Sequence, residues 1–95
     1  MLSEKELQDI ELRADQTQRG PWKAYIEGRD QENISSFIQT GSGQDKGINI
    51  RLKGATIADI DFIAHSKQDI PKLIKEIKEL RSQLQNNNPS LPFKL

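Results

Sequence analysis

Ile48-Asn49-Ile50-Arg51-Leu52-Lys53 alternates apolar and polar side chains without a break, the period of a half-buried strand. Ile48, Ile50 and Leu52 would face a core, and Asn49, Arg51 and Lys53 would face solvent. With helical patterns on both sides of it, this stretch decides for an α+β fold. Upstream, Trp22 to Glu27 repeats the alternation, with Trp22, Ala24 and Ile26 on one face and Lys23, Tyr25 and Glu27 on the other. Ile34 to Thr40 is less regular, setting Ile34, Ser36 and Ile38 against Phe37. The connections 28–33 and 41–47 are short. Parallel neighbours would need a long crossover, so the expected sheet is a three-stranded antiparallel meander.

Working outward, Ser3 precedes Glu6 by the capping-box spacing, and Leu2 and Leu7 flank it as a hydrophobic staple. Leu7, Ile10 and Ala14 then form a narrow apolar stripe, so an N-terminal helix should run to about Thr17, before Arg19-Gly20-Pro21. On the other side of the sheet, Thr56 can cap a short helix with Asp59, and Ile57, Ile60, Phe62, Ile63 and Ala64 make it apolar almost all round. Asp69 is then expected to cap a long C-terminal amphipathic helix, with Pro71 in the first turn, where its missing N–H leaves no bond unmade. Ile70, Leu73, Ile77, Leu80 and Leu84 recur three and four residues apart, an a/d seam suited to an oligomer interface. Ile74 widens that face. Glu76 and Arg81 stand at the g-to-e offset of parallel coiled coils. The other destination for the seam is the protein's own sheet. The expected organisation is one domain over 1–85 and a tail over 86–95, in which two prolines stop the helix and Leu91, Phe93 and Leu95 alternate.

Composition narrows the function. Only 34% of the 95 residues are hydrophobic, which leaves a thin core and favours a homo-oligomer, since a partner can cover what the chain does not bury itself. Trp22 is the expected core anchor, packed by Leu7, Ile10, Ile48 and Ile50. Fourteen basic residues balance fourteen acidic ones, whereas general nucleic-acid binders carry a basic excess. There is no cysteine and one histidine, which excludes disulfides, thiolate catalysis and most zinc sites. No metal, cofactor or catalytic residue is expected. The opening residues lack a signal-peptide core, and no stretch has the ~20 apolar residues of a membrane span. A cytoplasmic location is the default.

The remaining motifs give little chemistry. Gly41-Ser42-Gly43 and Gly47 lie between strands, and Lys46 precedes Gly47, so neither phosphate-loop pattern is met; a mobile hairpin connection is expected. His65 and Ser66 are neighbours without an orienting acid. Asp59 and Asp61 are two apart and diverge on a helix. A candidate ligand surface remains at Tyr25, Arg29 and Arg51, where guanidinium forks and a phenol ring could clamp a small anion such as a nucleotide. The alternative is an ordinary solvated sheet face balanced by Glu27 and Asp30.

Two stretches carry a resemblance. Arg13-Ala14 with Gly20-Pro21-Trp22, and Ala58-Asp59-Ile60-Asp61-Phe62-Ile63-Ala64 with Asp69-Ile70-Pro71-Lys72-Leu73, resemble the Ead-like small proteins of phages and prophages. Gln18-Arg19 stands where that pattern has Thr-Pro, and His65-Ser66-Lys67 where Ala and Arg are usual. The resemblance implies a phage or mobile-element setting and no activity. The expectation is therefore a non-enzymatic accessory protein that self-associates and occupies a host protein. The alternatives are sequestration of a small anionic ligand and an immunity-like block of a toxin.

Overall fold

Helix α1 (Glu4–Asp15) begins at the capping box read from the sequence. Ser3 Oγ accepts the Glu6 N–H at 3.0 Å, and Glu6 Oε1 accepts the Ser3 N–H at 3.0 Å. The helix ends at Asp15, slightly before the expected Thr17. The computed structural model describes residues 1–87.

Strand β1 (Trp22–Tyr25) pairs antiparallel with β2 (Phe37–Thr40), matching Trp22 with Thr40 and Tyr25 with Phe37. Ala24, Ile26 and Ile38 are buried with Ile60 and Ala64 of the following helix, and Trp22, Ile50, Leu52, Ala55 and Ile63 pack around them. The alternation read for the first strand sets its buried face, and in the second it does so for Ile38; Ile34, read on the same face, lies before β2 and is 48% exposed. Trp22 joins this core half-buried; Ile26, Ile38 and Thr40 fill its deepest positions. Ile48, expected to pack on Trp22, is 70% exposed.

The third strand of the meander does not form. Of Ile48 to Lys53 only Ile50 pairs, exchanging two 2.8 Å bonds with Ile38. The rungs on either side are taken by local bonds. The Thr40 carbonyl accepts the Gly47 N–H at 2.7 Å, and its hydroxyl donates to the Ile48 carbonyl at 2.9 Å. The Leu52 carbonyl closes a turn with the Ala55 N–H at 3.3 Å. The fold is thus α+β with a two-stranded antiparallel sheet.

The expected short helix and long C-terminal helix are a single helix, α2 (Ile57–Asn87), with Pro71 inside it. Thr56 and Asp59 cap its start reciprocally, at 3.0 and 3.1 Å. Asp69 lies mid-helix and caps nothing. The segment before Pro71 has reasons to stay helical. Gln68 Oε1 accepts the Trp22 N–H at 2.9 Å and Gln68 Nε2 donates to the Trp22 carbonyl at 3.1 Å. Ala64, one turn earlier, is buried in the core.

Within the expected 1–85 domain the chain groups into two units, one of Thr17–Asp69 and one of Met1–Gln16 with the chain from Ile70 onward. Helix α2 contributes to both. Of the expected tail, Asn86 and Asn87 continue α2; the rest, with Leu91, Phe93 and Leu95, lies outside the described residues.

Candidate functional site

In the Thr17–Asp69 unit the outer sheet face carries an ordered column. Tyr25 and Phe37, cross-strand partners, stack at 5.2 Å between ring centroids with planes 18° apart. Lys23 Nζ sits 5.0 Å from the centre of the Tyr25 ring, and the Arg51 guanidinium 5.3 Å from that of Phe37. Each ring thus has a cation as well as its neighbour within attractive range. Arg51 also donates from Nη1 to the Ser35 carbonyl at 3.1 Å. Phe37 is the member that sequence reasoning missed. The signal was available, because Tyr25 and Phe37 both lie out of phase with the buried residues of their own strands.

Arg29 does something else. Its Nη1 and Nη2 fork onto the two Asp61 oxygens at 2.8 and 3.0 Å, and Nε and Nη2 reach Asp30 Oδ2 at 3.1 and 2.9 Å. Asp30 Oδ2 further accepts the Ile26 N–H at 2.9 Å. Hydrogen bonds from Arg29 hold both carboxyl groups below the usual aspartate range, and the two carboxylates push the guanidinium further up. The structure therefore places Tyr25 and Arg51 on one column and ties Arg29 to α2 through Asp61. Arg29 works as a clip between the 28–33 turn and the helix.

The Gly41–Gly47 connection is tied at both ends, the Gly41 N–H donating to the Pro21 carbonyl at 2.9 Å and the Gly47 N–H to the Thr40 carbonyl at 2.7 Å. Residues Gly43–Asp45 form one 3₁₀ turn. Gly41 is buried at φ 73°, and a Cβ there would collide with the Asp45 carbonyl. These glycines answer to backbone geometry and close approach. His65 Nδ1 donates to the Asp61 carbonyl at 2.8 Å and Ser66 Oγ to the Ile63 carbonyl at 2.6 Å, so each serves the helix and neither faces the other as a dyad. Among the described residues no group of three His, Asp or Glu side chains could hold a metal ion.

In the unit of Met1–Gln16 with the chain from Ile70 onward, Leu7 and Ile74 are buried. Lys78 Nζ bridges both Glu11 oxygens at 2.9 and 3.1 Å, and Arg81 Nη2 donates to the Leu2 carbonyl at 2.5 Å. The seam is open. Ile70 and Ile77 are half-buried, while Leu73, Leu80 and Leu84 are 58%, 50% and 44% exposed. Ile77, Leu80 and Leu84 line a shallow apolar cavity of about 280 Å³ with Met1 and Leu2. Glu76 is exposed, and Arg81 is already engaged within its own chain.

Comparison with protein-family models, with curated proteins and with solved structures gives no match. No helix among the described residues is long and apolar enough to cross a membrane.

Proposed function

We propose that this chain is a non-enzymatic accessory protein that acts as a homo-oligomer, with the seam of α2 as its self-contact. The observation that carries this reading is the row Leu73, Leu80 and Leu84 on one side of α2, each near or above half exposure. A leucine row at heptad spacing left open to water marks an interaction surface. The setting is the cytoplasm of a cell carrying a phage or mobile element, and the mode of action is occupation of a host protein. The resemblance of the two quoted stretches to the Ead-like proteins supports that setting. Sequestration of a small anion has less support, because Arg29 is paired with two carboxylates.

Static light scattering tests the reading. At tens of micromolar, about where a weak association of −6 to −7 kcal/mol shows, the protein scatters as an oligomer. The double substitution Leu80→Lys and Leu84→Lys gives a monomer with an unchanged sheet signal. A monomeric native chain at that concentration overturns it.

A further inference from the structure

We propose that the groove between the Arg51–Ala55 turn and the first turns of α2 is a docking site for an acidic segment of a partner protein carrying a large apolar side chain. The groove is a cavity of about 460 Å³ lying wholly within the Thr17–Asp69 unit. Its apolar walls include Leu52, Ala55 and Ile63, which pack on the core, so the groove is shaped without an occupant. Phe62 completes it and is 75% exposed. An exposed phenylalanine beside ready-made apolar walls offers a partner side chain a place to lose water on several sides at once.

Charge decides which partner. Arg51 and Lys53 stand exposed at the rim. Neither Lys53 nor Arg51 has an ion pair among the described residues; the Arg51 guanidinium is set over the Phe37 ring and donates to the Ser35 carbonyl. The facing carboxylate, Asp59, accepts the Thr56 N–H at 3.0 Å and is held in the cap of α2. The start of the helix adds its own partial positive charge. Carboxylates flanking an apolar anchor match this pattern. A nucleic-acid strand matches it less well, since phosphate-driven binding rests on many cationic contacts and the chain has zero net charge. This groove is separate in the chain from the α2 seam, so the inference stands or falls independently of self-association.

The test uses the ¹⁵N-labelled full chain and three probes: acetyl-Asp-Glu-Leu-Phe-Glu-Asp-amide, its counterpart with Lys at every acidic position, and a thymidine oligonucleotide. The acidic peptide should shift the amides of residues 51–55 and 59–63 at up to roughly millimolar concentration. The lysine peptide should bind at least about tenfold more weakly, and Phe62→Ser and Lys53→Glu should each weaken the acidic peptide by about tenfold. Both substituted side chains are exposed, so spectra elsewhere in the chain report an intact fold. No shifts, equal response to the lysine peptide, shifts confined to 70–84, or shifts from the oligonucleotide alone would each overturn the proposal.

Discussion

Side-chain amides and carboxylates do much of the work that a larger sheet would do. Gln68 presents an acceptor and a donor to the backbone of Trp22, so a helix residue takes the place of a third strand beside β1. Removing it leaves a part-buried N–H and carbonyl without partners, which costs about 1–3 kcal/mol. Gln68→Ala should lower stability by that amount in urea unfolding. Gln68→Glu should not rescue it, because a carboxylate accepts the N–H but repels the carbonyl; full rescue by Glu would remove this pairing from the account. Arg29 gives a pH-dependent case. The Asp30 and Asp61 carboxyls are depressed by their bonds to Arg29. A depressed carboxyl contributes stability that is present above its unfolded value and lost as pH falls through the folded one. Arg29→Ala should therefore lower the urea midpoint at pH 7, and the gap from the native protein should close below about pH 4. A gap that persists unchanged at pH 3 would assign the loss to packing of the arginine stem.

At the level of elements, what was legible was what is decided locally. The capping box of α1 needs only Ser3 and Glu6, and the buried faces of β1 and β2 need only the alternation of their own residues. The third strand failed because nearby groups that the alternation does not register, the Thr40 hydroxyl and the turn that takes the Leu52 carbonyl, take up the bonds it would have needed. The column of Lys23, Tyr25, Phe37 and Arg51 was half legible, since it needs the register of β1 on β2 as well as each strand's phase. The single long helix was missed because Asp69-x-Pro71 reads as a helix start, and the bonds that carry α2 past it come from Gln68 to a strand 46 residues away. Pro71 is thus an interior proline, which brings no N–H of its own to the helical ladder. An interior proline is about 3 kcal/mol worse than alanine where the helix is otherwise free. Pro71→Ala should raise the urea midpoint, with a gain of about 1–3 kcal/mol. A fall instead would show that the fixed backbone angle of proline favours the native conformation at this turn.

For the whole molecule, the balance of apolar surface argues for a second copy. Among the described residues of the unit formed by Met1–Gln16 and the chain from Ile70 onward, only Leu7 and Ile74 are buried apolar side chains. A pair of helices with so few buried contacts gains little from packing, and an isolated helix of the 12 residues of α1 is marginal in water. The same unit carries exposed Leu73, Leu80 and Leu84. Two such units set seam to seam would convert that surface into the interior of a four-helix arrangement, the common way for short helices to share a core. The sense of the pairing is not fixed by Glu76 and Arg81, since Arg81 already donates to the Leu2 carbonyl of its own chain. Mass action then supplies a check on the proposed self-association that does not depend on a mutant's fold. If folding and association are linked, the melting temperature of the native chain rises with protein concentration. For a domain of this size the rise should be several degrees across a hundredfold range. The chain carrying both Leu80→Lys and Leu84→Lys should melt at a temperature independent of concentration. A native melting temperature that does not move across that range would show that the open leucine row contributes nothing to stability through a second copy.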